Sequence, residues 1–281
     1  MKYRDLLDSA MKRSSELGKE ESAVRLLLLD ASKLENHILI ASMNDEVSEE
    51  VVRKFDGMLD DYLINNIPVQ QIVGYEYFFG YSFKVSSDVL IPRPETEELV
   101  ANVLSLYDEF FSDQEVNVVD IGTGSGAIAI TLALEEKNMS LSATDISKEA
   151  LSVAKENSSR LCANVKFITG DMLRPLANQK FDILVSNPPY IPKTEVVDSL
   201  VYDNEPHVAL FGGEDGLKFY REIIENASSI LNEKSIIAFE HAYDKAKEIY
   251  EIAKSNFEDS EIRQIKDMQG KDRMTFIING G

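Results

Sequence analysis

Apolar positions recur at helical spacing through the first 66 residues. Leu6, Leu7, Ala10 and Met11 form one stripe, and Val51, Val52, Phe55, Met58, Leu59 and Tyr62 form another. Gly18 and Asn44 interrupt the pattern, and Ser48 ahead of Glu49 and Glu50 has the chemistry of a helix start. No strand-like alternation appears, so residues 1–66 are expected to form a small helical bundle. Ile67-Pro68-Val69 ends the helical run, and the aromatic stretch from Tyr75 to Phe83, centred on Gly80, predicts a β-hairpin. Two prolines, Pro92 and Pro94, bar regular structure across Ile91–Thr96, and helical spacing resumes from Glu97 to Tyr107. Residues 67–92 therefore read as a connector and 93–281 as a second domain.

From Val116 onward strand and helix alternate. Strands are predicted at Asn117–Ile121, Leu141–Thr144, Val165–Thr169, Phe181–Ser186 and Ile236–Phe239. Helices are predicted at Ala127–Leu134, Lys148–Leu161, Leu217–Leu231 and Tyr243–Ser255. Such alternation implies an α/β fold with a mostly parallel sheet covered on both faces. Glu261–Ile265 and Met274–Ile278 flank the turn-rich Gln269-Gly270-Lys271-Asp272, so the chain should finish in a hairpin with an antiparallel strand.

Composition narrows the field. With 29 Lys+Arg against 49 Asp+Glu the chain carries a net charge of −20, which offers no general field for phosphate backbones. A single cysteine, Cys162, excludes a disulfide framework or a Cys-rich zinc site, and three scattered histidines lack metal-ligand spacing. No apolar run approaches the ~20 residues of a membrane span, and Asp5 and Asp8 interrupt the N-terminus where the apolar core of a signal peptide would begin. A soluble, cytoplasmic protein without membrane association is expected.

The strongest loop signal is Asp120-Ile121-Gly122-Thr123-Gly124-Ser125-Gly126, between a strand and a helix. Glycines let the backbone turn tightly and approach a ligand, and the helix start offers free N–H groups. Asp145 closes the next strand, where a carboxylate can accept from both ribose hydroxyls of an adenosine. Gly122, Gly124 and Ala127 also satisfy the dinucleotide pattern, so spacing alone leaves a nicotinamide cofactor open. Two features favour S-adenosylmethionine. Asp120 is placed to face an ammonium group, whereas a pyrophosphate would repel it. Asp171 after the third strand is placed to accept from an adenine amino group, with Met172 covering the ring face.

Ser186-Asn187-Pro188-Pro189-Tyr190 ends the fourth strand, and ligands of open α/β sheets bind beyond such strand ends. A planar amide or amino nitrogen is a poor nucleophile until its N–H groups are held. The Asn187 side-chain carbonyl and the Pro188 backbone carbonyl can accept those hydrogens. Pro188 and Pro189 stiffen the loop, and Tyr190 supplies a flat wall for a planar group.

The Asn-Pro-Pro-Tyr loop together with Gly-Thr-Gly-Ser-Gly resembles class I S-adenosylmethionine-dependent methyltransferases acting on an exocyclic or amide nitrogen. More narrowly, the chain is similar to the protein-glutamine methyltransferases that modify peptide chain release factors. Pro68 to Gly74, Leu90 to Glu97, Ser186 to Pro192, Glu205-Pro206, Gly212-Gly213 through Gly216-Leu217, Tyr220-Arg221 and Asp267 to Arg273 carry that likeness. The resemblance implies a Rossmann-like catalytic domain that methylates the glutamine of a Gly-Gly-Gln loop, and an N-terminal helical domain that helps hold the protein substrate. It also implies that Gly122 to Gly126, Asp145, Met172 and Asn187 contact the cofactor, while Asn187 to Tyr190 grip the glutamine.

Where that family usually reads Glu-Ile-Gly after the fifth strand, this chain has Glu240-His241-Ala242. His241 reads as a strand-end residue rather than a base, because amide methylation with the proton released to solvent needs no strong base. Arg93 and Glu95 fit two readings equally: orienting the substrate loop at the mouth of the crevice, or an ion pair locking the connector. Two other functions compete with glutamine methylation. An amino-group methyltransferase for adenine or guanine in nucleic acid would need a basic groove, and no Lys/Arg cluster adjoins the loop. A non-catalytic adenosine-binding module would have little use for an amide-gripping loop.

Overall fold

The computed structural model describes residues 1–280, which divide into two compact units. One comprises Met1–Tyr75 with Val197–Asn204, and the other Glu76–Val196 with the chain from Glu205 onward.

The first unit holds α1 (Tyr3–Glu16), α2 (Glu21–Ser32), α3 (Asn36–Ala41), α4 (Glu49–Leu63) and α5 (Val69–Val73). In α4 the Ser48 hydroxyl accepts the Val51 N–H, capping the helix, and two glutamates in the first turn favour its dipole. Phe55, Met58, Leu59 and Tyr62 then fall on one face and are buried against Leu27 and Leu28 of α2 and Leu39 of α3. Each large apolar side chain so buried contributes about 1.5–3 kcal/mol. Pro68 does not end helix formation as expected. It caps α5, where its missing N–H costs nothing, and Gly74 closes that helix at φ +84°.

The second unit takes in β1 (Tyr75–Phe78) from Glu76 onward and β2 (Tyr81–Lys84), then α6 (Pro94–Phe110), β3 (Val116–Ile121), α7 (Ala127–Glu135), β4 (Met139–Asp145) and α8 (Lys148–Arg160). It continues through β5 (Val165–Thr169), β6 (Phe181–Ser186), α10 (Lys218–Ala227), β7 (Leu231–Glu240), α11 (Ala246–Asn256), β8 (Glu261–Lys266) and β9 (Asp272–Asn279), with α9 (Ser199–Tyr202) lying between β6 and α10 along the chain. The first hairpin turns on Phe79 and Gly80, both at positive φ (+52° and +80°), which matches the right-handed twist of its strands. The short helix α9 lies in the segment that belongs to the helical unit. There Gln71 donates to the Asn204 carbonyl at 2.8 Å, and Asn204 donates to the Asn66 carbonyl at 2.8 Å. The expected division at residues 66 and 92 thus differs from the compact units: the helical one runs through Tyr75 and recovers eight residues from far down the chain.

Seven strands form one sheet in the order β5-β4-β3-β6-β7-β9-β8. All neighbours pair parallel except β9, which runs antiparallel to both β7 and β8. Side chains alternate strictly between the two faces. Val118, Ile183, Val185, Ile236 and Ala238 pack beneath α6 and α7. Val119, Leu184, Ile237 and Phe239 pack beneath α10 and α11. After β3 the chain builds β4 and β5 on one side and returns to lay β6 on the other, so the order reverses between β3 and β6. Splayed connections leave a crevice at such a switch point, beyond the strands' carboxyl ends.

Two element boundaries differ from expectation. Pro94 opens α6 rather than preceding it, since a proline at the first helical position forfeits no hydrogen bond. The predicted helix Leu217–Leu231 ends at Ala227, and β7 starts at Leu231, five residues before the predicted strand. Its polar start, Asn232 to Ser235, lies across a register shift where Phe181 pairs with Leu231 but Ile183 pairs with Ile236. An irregular, partly solvated ladder needs no apolar pattern, so the pattern misses it.

Candidate active site

Beyond the ends of β3, β4, β5 and β6 lies a cleft of about 300 Å³. One wall is the glycine loop. Gly122, Gly124 and Gly126 sit at φ +75°, +56° and +84°, a region closed to ordinary side chains without strain. A Cβ on Gly122 or Gly124 would meet nothing, because these residues face the cleft. A Cβ on Gly126 would strike Ile130 at 2.7 Å and Ala154 at 3.2 Å, so that glycine serves helix packing.

Asp145, at the end of β4, accepts the Gly124 N–H on one carboxylate oxygen and the Ser147 N–H on the other, both at 2.9 Å. Burial raises its pKa while those backbone donors oppose the rise. Asp120, at the end of β3, is fully buried and accepts the Thr123 hydroxyl at 2.6 Å on Oδ2. Its Oδ1 has no hydrogen-bond partner. Burial lifts this carboxyl to about 7, opposed by Thr123 and reinforced by the nearby Asp145 charge. Asp171 and Met172 line the opposite rim. Met172 is held at φ +45°, and the Asp171 carboxylate pairs with Arg174 at 3.0 Å.

The second wall is the loop after β6. The Ser186 hydroxyl donates to the Ile121 carbonyl at 2.7 Å, tying the ends of β6 and β3 together below the cleft. Asn187 and Pro189 line the cleft beside the glycine loop. Backbone from 210 to 217 presses on this loop so closely that a Cβ on Gly212 would lie 2.4 Å from the Pro189 carbonyl oxygen. On Gly216 it would lie 2.2 Å from the Tyr190 carbonyl oxygen. Glycine is the residue that permits this approach.

Behind Asn187 runs a buried chain of hydrogen bonds. Asn187 Nδ2 donates to Thr96 Oγ1 at 3.2 Å, and Thr96 Oγ1 donates to Glu240 Oε2 at 2.6 Å. Burial lifts the Glu240 carboxyl to about 7, against the Thr96 hydrogen bond and the Arg273 charge. Its backbone carbonyl accepts the Tyr220 hydroxyl at 2.8 Å.

Several expected residues stand elsewhere. Tyr190 packs toward the apolar cluster beneath α10 rather than lining the cleft, and burial pushes its hydroxyl up to about 12. Arg93 pairs with the buried carboxylate of Glu205, which also accepts the Ile91 N–H at 3.2 Å. Of its two readings the structure contains the ion pair, with Glu205 and not Glu95 as the partner. His241 is buried at the strand end, with Nδ1 on the Ala242 carbonyl and Nε2 on the Thr275 hydroxyl, both at 2.9 Å, and burial lowers its pKa. The sequence assigns no site role to Thr96, Glu240, Lys218 or Phe219, although Thr96 and Glu240 lie in segments that carry the family likeness or its departure, and an acid closing the apolar run Ile236–Phe239 is a signal for Glu240. Among the described residues no group of His, Cys, Asp and Glu could hold a metal ion, and no helix is long and apolar enough to cross a membrane.

Residues 5–74 match the family model of the PrmC N-terminal domain, and residues 101–208 match that of the methyltransferase small domain. A release factor glutamine methyltransferase of Bacillus cereus is 41% identical over 280 residues, covering 98% of this chain and 99% of its own. The release factor glutamine methyltransferase of Bacillus subtilis is 44% identical over 264 residues, covering 92% and 91%. Among solved structures, a methyltransferase from Pyrococcus furiosus overlays 72% of this chain and 90% of its own at a TM-score of 0.53. Its identity is 22%, a likeness of fold alone.

Proposed function

This chain belongs to the release factor glutamine methyltransferases, and we propose that it transfers a methyl group from S-adenosylmethionine to the side-chain amide nitrogen of the glutamine in a release factor's Gly-Gly-Gln loop. The observation that carries this reading is that Asn187 and Pro189 share one cleft with Gly122, Gly124 and Asp145. An amide-holding corner and a nucleoside-binding loop are thus within reach of a single pair of reactants.

The residues present fit the cofactor. Gly122 and Gly124 leave open space on the cleft side and Asp145 keeps lone pairs for ribose hydroxyls, whereas Asp120 is fully buried beneath the glycine loop and is not among the cleft-lining residues. When bound, S-adenosylmethionine supplies an electrophilic methyl group. The chain's own residues supply position: the Asn187 side-chain carbonyl and the Pro188 carbonyl accept the two amide hydrogens and hold the nitrogen lone pair toward the donor. The departing proton needs no strong base, and buried His241 is not required to act as one. The helical unit, whose sequence matches the PrmC N-terminal domain, is read as the part that grips the release factor. Lys218 is the one cation among the described residues lining the cleft, and the net charge of −20 favours a protein substrate over bare nucleic acid in the cytoplasm.

The test is methyl transfer to a purified release factor, with mass spectrometry locating the added group on the glutamine. Asn187→Ala should abolish transfer while weakening S-adenosylmethionine binding only modestly. Near-normal turnover by that variant sinks the role given to the loop. Methylation of bare RNA or DNA, falling steeply with added salt, would favour the nucleic-acid alternative.

A further inference from the structure

A carboxamide has one accepting end and one donating end, so a side chain meant to hold amide hydrogens must be kept the right way round. Nothing in the Asn-Pro-Pro-Tyr loop itself does this for Asn187. The chain of bonds behind it does. A hydroxyl has one proton, and that of Thr96 goes to Glu240 Oε2 at 2.6 Å. With Glu240 ionised, the lone pairs remaining on Thr96 Oγ1 can only accept, so Asn187 meets it at 3.2 Å with its NH2 group. The carbonyl oxygen is therefore the end left over for the cleft that Asn187 lines.

We propose that Thr96 and Glu240 are positioning residues that dictate which end of the Asn187 amide is offered to the substrate, without touching the substrate themselves. The inference rests on Asn187 being the acceptor of the glutamine hydrogens. Topology makes the arrangement possible. Ser186 pairs with Phe239, so Asn187 and Glu240 follow at the ends of adjacent parallel strands, and Thr96 reaches them from the first turn of α6. Both supporting side chains are buried, at 5% and 2% exposure, so water is a poor substitute for either. A buried carboxylate is an expensive way to pack a strand end, and a burial strong enough to lift it to about 7 underlines that expense. As the terminal acceptor, Glu240 also polarises the chain and deepens the negative charge on the Asn187 oxygen. An amide turned the other way would present NH2 and suit an acid rather than an amide, so selectivity for glutamine over glutamate originates here as well.

The experiment compares Thr96→Val, Thr96→Ser, Glu240→Gln and Asn187→Ala in the full-length protein. It reads kcat and KM for a purified release factor, calorimetric S-adenosylmethionine affinity, and melting temperature. Thr96→Val removes the nearer of the two acceptors that face the Asn187 NH2, Glu240 being the other, and should lower kcat several-fold to about tenfold, with KM and cofactor affinity within about twofold. Thr96→Ser restores the hydroxyl and should recover most of the loss, which a merely structural role for the threonine methyl would not allow. Glu240→Gln keeps the shape but can face Thr96 with either end, so kcat should fall by about three- to tenfold. It also serves as the deciding variant should Thr96→Val fail to fold. The proposal is overturned if Asn187→Ala is inactive while Thr96→Val or Glu240→Gln keeps wild-type kcat, or if Thr96→Ser is as impaired as Thr96→Val. If Asn187→Ala itself keeps turnover, the reading of the loop falls first and this inference with it.

Discussion

On the glycine wall of the cleft, Gly124 reaches Asp145 across 21 residues of chain, the length of one strand–helix–strand unit. On the opposite wall, Asn187 is held by Thr96 from 91 residues away, and Thr96 by Glu240 from 144. The first wall is therefore complete once two neighbouring strands and their connecting helix have formed. The second exists only when α6, β6, β7 and the 210–217 loop have all come together, and closing such long loops carries an entropic cost that local pairing avoids. The difference also separates two kinds of glycine. Gly122 and Gly124 of the first wall are needed for their own backbone angles and for open space in the cleft, whereas Gly212, and Gly216 in addition to its own angle, are needed by another segment's carbonyl oxygens.

By that contrast, the most damaging single methyl group in the active site lies outside both motifs. Gly216→Ala places a Cβ 2.2 Å from the Tyr190 carbonyl oxygen, at φ +79°. Strain and overpacking together should cost on the order of 3 kcal/mol or more. Thermal unfolding should show a lowered melting temperature, and methyl transfer should be nearly lost even with saturating S-adenosylmethionine, because the loop moves. A variant with unchanged melting temperature and turnover would show that the buttress is dispensable.

What could be read from the sequence follows the same line. The helical start, the alternating sheet and the terminal antiparallel strand were legible because each rests on periodicity within one element. So were Gly122, Gly124, Asp145 and Asn187, since a loop between a strand and a helix must sit at the strand's carboxyl end. Thr96, Glu240 and the buttressing role of Gly216 were not legible, because their significance is a contact across much of the chain. Arg93 shows the limit most plainly. Its charge is plain in the sequence, but its partner Glu205 is 112 residues away and no pattern links the two. The polar start of β7 escaped for a different reason, as a bulged ladder held by backbone bonds leaves no trace in side-chain pattern.

Asp120 sharpens the contrast from the glycine wall. Its carboxyl, lifted by burial to about 7 in the folded protein, lies near 3.8 when unfolded. A raised acid means the folded state keeps its proton longer, so stability is lost as pH climbs from about 4 to about 7 and the full penalty persists above that. The gap corresponds to at most about 4 kcal/mol. Asp120→Asn removes the charge and should raise the melting temperature at pH 8 far more than at pH 5. A variant less stable at pH 8 than the wild type would refute the assigned burial cost.

The smallest expected effect concerns Tyr190, where the two walls offer different explanations of one residue. As a flat surface for the substrate it would line the cleft, but its ring packs toward the cluster beneath α10 that contains Tyr220 and Leu217. The hydroxyl is held near 12 by burial and stays protonated across the working pH range, so it has no acid–base part to play. Tyr190→Phe keeps the ring and the packing, and should change stability and turnover by no more than about 0.5 kcal/mol each. Tyr190→Ala removes ring contacts behind the loop and should cost about 3 kcal/mol in unfolding free energy along with most of the turnover. If Tyr190→Phe instead lost turnover while keeping its melting temperature, the hydroxyl would be acting on the reactants. The tyrosine would then belong to the catalytic wall rather than to the buttress behind it.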